Sequence, residues 1–316
     1  MDNSILSSRS IMGMYFARLE QNPGMGWIDA VSNLYTSDQA SETYKFLGQT
    51  PTMREWVGGR LAKGFSGNGI TVVNKHYEAT IEVAKKDVRR DKTPQLRARM
   101  AEFADRGQTH WASLMTTLLI NGPSTACYDG QYFFDTDHSE GDSGSQSNDI
   151  TVDISAMPAA THGTTTEPSK EEMQWAILKG IMAIVGFKDD IGEPVNENAK
   201  SFLVTVPLTL YPAAQAAVQP LLNSALAQNV DPNILADFSI TVVPVIRLTW
   251  TDSFAVFRTD GPIKPLIRQT EQEIELKAKA EGSEFEFDND AWQFGIDSWR
   301  GCGYGNWRYC CYVTLV

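Results

Sequence analysis

TPQLRARMAEFADRGQTHWASLMTTLLINGP, residues 93–123, is the stretch whose reading decides the fold. Thr93 can cap a first turn through its hydroxyl, and Pro94 suits the first helical position, where a missing N–H costs nothing. Leu96, Met100, Phe103, Gly107, Trp111, Leu114 and Leu118 follow at steps of three and four, which makes one apolar stripe about seven turns long. Asn121, Gly122 and Pro123 then stop the helix. Such a helix is roughly 40 Å long, more than a compact domain wraps on all sides, so it braces something extended.

Around this helix the chain has 316 residues, enough for a sizeable core arranged as two domains or as one domain with large excursions. Lys179 interrupts the apolar segment at 175–187, and Pro207, Pro212 and Pro220 interrupt the next, so no run spans a bilayer. Residues 1–10 lack the apolar block of a secretory signal, which points to a protein made and kept in a cytoplasm. Cys127, Cys302, Cys310 and Cys311 show no CxxC spacing and are expected reduced and buried. A formal net charge of −12 opposes tight general binding to nucleic acid, while an acidic surface can still line a compartment that holds DNA without gripping it.

Before the helix, residues 11–19 suit a short helix ended by Asn22, Pro23 and Gly24, and Trp27, Ile28, Val31 and Leu34 form another short apolar face. Neither makes a core alone, so this arm lies on something else. Residues 53–83 read as a long hairpin turning at Ser66, Gly67, Asn68 and Gly69, with Tyr77, Ala79, Ile81 and Val83 alternating with polar residues along its second arm. Gly58, Gly59 and Gly64 make the first arm a projecting loop. After the helix, residues 139–168 read as surface loop, 169–186 as a helix capped by Ser169, 202–206 and 239–246 as strands, and 211–228 as an alanine-rich helix. This alternation predicts a second α/β layer, and residues 253–316 read as strands.

Lys85, Lys86, Arg89, Arg90, Lys92, Arg97 and Arg99 form the one dense basic run, and residues 271–290 the acidic one, with Glu273 and Glu275 on an alternating strand. They are two solvated faces, or they pair across a subunit contact. The second reading predicts that charge reversal in the basic run impairs assembly and that compensating reversal in the acidic run restores it.

Asp135, Asp137 and His138 form the local cluster nearest to a catalytic or metal site, yet His76, His110 and His162 supply no further ligand at useful spacing, so a hydrogen-bonded turn is the better reading. Residues 64–69 lack the Lys and Ser/Thr of a phosphate loop, no GxSxG elbow occurs, and the basic run carries no base-reading motif. No cofactor and no catalysis are expected. A projecting hairpin, a long brace and an arm without its own core favour a subunit whose surfaces meet copies of itself.

Several motifs sharpen this. Ser41, Glu42, Thr43 and Tyr44, Met53 to Gly58 with Arg60, Asn74 to Val83, the run Cys127-Tyr-Asp-Gly-Gln-Tyr-Phe-Phe-Asp-Thr-Asp-His138, Lys264 to Ile267 with Gln269, and Phe294 to Asp297 with Gly303, Gly305 and Trp307 resemble, in order, the major head subunit of Mu-like tailed bacteriophages. Ser139 stands where that family is expected to have proline, and Arg89 and Arg90 where it is expected to be acidic. The resemblance implies an α+β chain with the Hong Kong 97-type capsid fold: an N-terminal arm at 1–50, an extended loop at 51–92, a peripheral domain with its spine helix at 93–186, an axial domain at 187–255, and strands at 256–316 returning through both. It implies hexamers and pentamers tiling an icosahedral head around double-stranded DNA held by weak non-specific contacts. Portal, scaffold and decoration proteins would be partners, with assembly in the host bacterial cytoplasm and no membrane. Trp56, Arg60, Lys63, Arg89, Arg90, Glu273 and Glu275 are the expected assembly contacts. An encapsulin-like compartment of the same fold, or a soluble metal-dependent enzyme built on Asp135, Asp137 and His138, are the alternatives.

Overall fold

Ser7 opens the first helix, its hydroxyl accepting the Ser10 N–H at 3.3 Å, and α1 then runs over Ser8–Gln21. The computed structural model describes residues 7–22, 24–44, 69–90, 95–218, 235 and 237–316. The expected turn at 66–68, the glycines of the first hairpin arm and the Thr93–Pro94 helix start lie outside these residues. Following α1 are α2 (Gly26–Val31), β1 (Ser32–Thr36), β2 (Ser41–Tyr44), β3 (Ile70–Val73), β4 (Lys75–Ala84), α3 (Lys85–Arg90) and the long α4 (Gln95–Asn121). Then come β5 (Asp149–Val152), α5 (Lys170–Gly186), β6 (Ser201–Val206), α6 (Tyr211–Val218), β7 (Ser239–Pro244) and β8 (Ser253–Arg258). The chain closes with β9 (Leu266–Lys279), α7 (Glu284–Asn289), β10 (Ala291–Tyr304) and β11 (Cys310–Leu315).

Two sheets carry the architecture. One has the order β1-β9-β10-β4, the other β5-β11-β8-β6-β7, and β2 pairs with β3 as a separate two-stranded ribbon. The long antiparallel pair β9 and β10 bends at bulges between Asp297, Trp299 and Arg300. Trp292, Phe294 and Ile296 alternate inward on β10 and meet Leu96, Met100 and Ala104 of α4 and Ile11 and Tyr15 of α1 in one cluster. The arm therefore rests on its own subunit at α1, fixed by Arg18 to Asp105, both contacts at 2.8 Å. The sequence paired the second hairpin arm with the first, which lies outside the described residues; β4 pairs with β10, from Ala84↔Ala291 to Lys75↔Arg300, which sets Val83 beside Trp292 and Ile81 beside Phe294 in the cluster shared with α1 and α4.

In α4 the 27 helical residues follow the predicted stripe as far as Trp111 and then turn. Ala112, Met115 and Leu119 are buried where Leu114 and Leu118 were expected, because the helix leaves the four-stranded sheet and enters the larger core of the other sheet. Gly107 sits where helix meets sheet: an added Cβ would lie 3.1 Å from Ile274 Cδ1 and 3.4 Å from Ile296 Cδ1. Gly107→Leu is expected to overpack this contact and cost about 1–3 kcal/mol, read from the urea unfolding midpoint; an unchanged midpoint would mean that the helix can lift off the sheet freely.

Ser169 and Glu172 form the capping box of α5, which buries Met173, Ala176, Ile177, Ile181 and Ile184. Trp175 and Leu178 are half-buried and Met182 is exposed, contrary to the sequence reading, because α5 packs on β8 and β11 through Gly180 rather than through its bulkier faces. Residues 139–168 are not all loop, since β5 adds to the edge of β11 in parallel register, Asp149 opposite Tyr312. The acidic run is not all strand either: Ser283 caps α7 by accepting the Glu286 N–H, and Asp290 ends it in the left-handed conformation at φ 47°.

Candidate functional site

The run 127–138 folds into a knot at the foot of α4. Asn121 leads into a 3₁₀ turn, Gly122–Ser124, against which Phe134 packs so closely that a Cβ on Gly122 would come within 2.4 Å of its ring. Gly130 turns at φ 90°, which lets the Asp129 carboxylate fold back to accept the Gln131 N–H at 3.2 Å and the Cys127 thiol at 2.9 Å. His138 is wholly buried, with Nδ1 2.6 Å from Asp129 Oδ2 and Nε2 3.1 Å from Asn148 Oδ1. Asn148 Nδ2 donates to the Phe133 carbonyl at 2.8 Å, so its Oδ1 is an acceptor and His138 Nε2 donates to it. Trp307 stacks on the His138 ring at 4.0 Å and 10°, and the Arg308 guanidinium lies over Trp307 at 4.8 Å.

Burial pulls the Asp129 carboxyl upward, yet the hydrogen bonds from His138 and Cys127 outweigh it and hold the group below its ordinary value. Burial, reinforced by Asp129, pushes the Cys127 thiol well above its ordinary range. Cys127, Asp129 and His138 thus place one ligand atom each within 4.8 Å of one another, but they spend those atoms on each other: the thiol stays protonated, and both imidazole nitrogens are engaged. Sequence reasoning chose Asp135 and Asp137 as partners of His138. Asp135 instead accepts the Tyr132 and Thr136 N–H groups, and Asp137 is exposed. The true partners are Asp129, nine residues earlier, and Asn148, ten later; the Cys-x-Asp-Gly turn was the local signal for the first.

The expected contact residues scatter. Trp56, Arg60 and Lys63, and the side chains of Arg89 and Arg90, lie outside the described residues. Glu273 and Glu275 project from the outer face of β9, Glu273 3.9 Å from Arg300 and Glu275 3.4 Å from Lys277. Among the described residues the two charge runs meet at Lys85, whose Nζ lies 3.9 Å from Asp290 Oδ1 and 2.7 Å from Glu286 Oε1. That contact, with the Trp292 indole N–H and the Gly282 N–H, holds Glu286 down to about 2 from 4.5. Because the folded value is the depressed one, this contribution to folding is full above pH 4.5 and is lost as pH falls from 4.5 towards 2. The Trp292 indole N–H resonance is expected to shift across that window and to stop doing so in Glu286→Gln; a shift unchanged by that substitution would rule the clasp out. At the ends of the parallel pair β6 and β7, Leu208 (62 % exposed) and Ile246 (81 % exposed) project from adjacent loops as an uncovered apolar pair.

Residues 15–159 match the family described as the Mu-like prophage major head subunit gpT, a span that contains α4 and the whole 127–138 knot. Over those residues the chain is similar to the Mu-like major head subunit family. The chain is 35% identical over 111 residues to the Mu-like prophage FluMu major head subunit of Haemophilus influenzae, and 32% identical over 108 residues to the major capsid protein of Escherichia phage Mu. These matches span about a third of the length of the curated relatives, 36% and 35%, and 35% and 34% of this chain. In structure the chain is similar to the procapsid chain of bacteriophage JBD30, with a TM-score of 0.54 at 21% identity over 97% of this chain and 73% of that one. The fold is the Hong Kong 97-type fold of phage capsid chains. The matched segment takes in the second half of α1, all of α4 and the knot, while β6 to β11 complete the two sheets around it.

Proposed function

We propose that the chain is the major capsid protein of a Mu-like phage, self-assembling into hexamers and pentamers of an icosahedral head that encloses double-stranded DNA. The observation that carries this reading is the coincidence of the family segment at 15–159 with a capsid fold extending over nearly the whole chain. The role is mechanical, and the knot around His138 is a structural joint: Asp129, His138 and Asn148 spend their polar atoms on one another and on Cys127, Gln131 and Phe133. Residues 93–186 serve as the peripheral domain on the α4 spine, 187–255 as the axial domain, 51–92 as the extended loop and 1–50 as the arm, with 256–316 threading both domains. Trp56, Arg60, Lys63, Arg89, Arg90, Glu273 and Glu275 are proposed contacts between copies. Portal, scaffold and decoration proteins are the proposed further partners. The net charge of −12 suits a shell that holds DNA by weak contacts only. Among the described residues no helix is long and apolar enough to cross a membrane. The virion is the proposed location, with assembly in the host cytoplasm.

Electron microscopy of the purified chain across a concentration series, with light scattering on the same samples, tests the proposal. Capsomer rings, tubes or closed shells are expected. A chain that remains monomeric even when coexpressed with a scaffold protein would overturn it, and copurifying cargo enzymes would transfer it to a storage compartment of the same fold.

A further inference from the structure

The hairpin between β9 and β10 ends in an element that contributes nothing to the core of its own subunit. None of the side chains of α7 is buried, yet the helix is fixed at both ends: Ser283 accepts the Glu286 N–H at 3.2 Å, and the Asp290 N–H returns to the Glu286 carbonyl at 3.0 Å. Glu286 adds three anchors, accepting from the Gly282 N–H at 2.6 Å, the Trp292 indole at 3.0 Å and Lys85 at 2.7 Å. A six-residue helix does not hold itself together in water, so this bonding maintains a shape whose outward product is Phe287, 90 % exposed. Its neighbours Glu284 and Asp288 are exposed and make no ion pair among the described residues. At the same end of the subunit, the starts of α3 and α4 present Lys86, Arg97 and Arg99, also exposed and without an ion pair among the described residues. These cations and the acids of α7 belong to one chain, and among the described residues Lys85 joins the two sets.

We propose that α7 is a docking knob for a second copy of this chain, with Phe287 seated against the basic collar formed by Lys86, Arg97 and Arg99 of that copy and Glu284 and Asp288 pairing with its cations. The charge complementarity selects this occupant. Tip meeting tip would set acids against acids, whereas tip meeting collar sets the two acids against three cations and places arginine beside an aromatic ring. Tip and collar are different surfaces at one end of the chain, so each copy can offer its tip to a neighbour's collar and its collar to a neighbour's tip. A single exposed aromatic in a charged rim is the usual composition of an anchor residue.

This inference rests on the self-assembly reading, and its test separates the two. Full-length wild type, Phe287→Ala, a tip variant (Glu284→Lys with Asp288→Lys), a collar variant (Arg97→Glu with Arg99→Glu) and the chain carrying both sets are compared by sedimentation and electron microscopy under the conditions in which wild type assembles. Phe287→Ala is expected to raise the concentration needed for assembly at least about tenfold without lowering thermal stability, since the ring touches no core. Tip and collar variants each fail to assemble, and the combined variant assembles. If wild type assembles and Phe287→Ala matches it, or if the combined variant stays dissociated, the docking proposal falls while the capsid reading stands. If wild type itself never assembles with its scaffold, both fall.

Discussion

Alanine in place of Trp307 is expected to cost about 3–5 kcal/mol, among the largest losses a single core substitution can inflict. Trp307 is among the largest fully buried side chains, and it is packed on three sides by chemically different neighbours. The His138 ring lies flat on it at 4.0 Å, the Phe187 ring meets it edge-on at 5.2 Å and 76°, and the Arg308 guanidinium covers it at 4.8 Å. Removing the indole leaves a void bordered by a buried imidazole and a buried guanidinium, neither of which can move in to fill it without abandoning its own hydrogen bonds. Chemical denaturation of the unassembled chain, monitored by far-ultraviolet circular dichroism, checks this. A loss below about 1 kcal/mol would mean that the 127–138 loop collapses onto the space at little cost. Trp307→Phe keeps a ring against His138 and is expected to recover part of the loss.

Asp129→Ala is expected to reach a similar magnitude, about 3–5 kcal/mol, by a different route. The carboxylate accepts from His138, Cys127 and the Gln131 backbone at once, so its removal strands three donors, two of them on the half-buried Cys127 and the wholly buried His138. The cost is that of leaving polar groups without partners, greatest at the wholly buried His138. Adding His138→Leu to Asp129→Ala is expected to restore some of the lost stability, because the stranded imidazole disappears with its partner. If the double variant is no more stable than the single one, the energy lies in the Asp129–Gln131 turn and not in the carboxylate–imidazole pair.

Local pattern made much of this molecule readable. The stripe beginning at Leu96, the Asn121-Gly122-Pro123 stop and the Ser169 cap each depend on neighbours within a few residues, and each appears in the structure. What escaped was long-range. The pairing of β4 with β10 joins residues some two hundred positions apart, and nothing in the hairpin's own alternation distinguishes that strand from a nearer one. The His138 joint depends on Trp307, which no spacing rule connects to residues 127–138, and so the nearby Asp135 and Asp137 drew the attention that Asp129 deserved. The acidic run read as strand because Glu alternates there, whereas Ser283 and the left-handed Asp290 give α7 a local start and stop that charge density concealed. Resemblance to the Mu-like family placed the whole in the right architecture from short motifs, which is why fold was more legible than contact.

The step from β10 to β11 gives the joint a further meaning. Only Gly305, Asn306 and the 3₁₀ turn Trp307–Tyr309 separate a strand of the four-stranded sheet from one of the five-stranded sheet. Trp307, the first residue of that turn, is clamped between His138 and Arg308, and Asn148 on the neighbouring loop donates from its backbone N–H to the Asp135 carbonyl while its own carbonyl accepts from the Tyr312 N–H of β11. Mechanically the subunit is two plates joined by a stiff pin. In the proposed shell, a twisting load that a neighbouring copy puts on one sheet is expected to reach the other along this short covalent path.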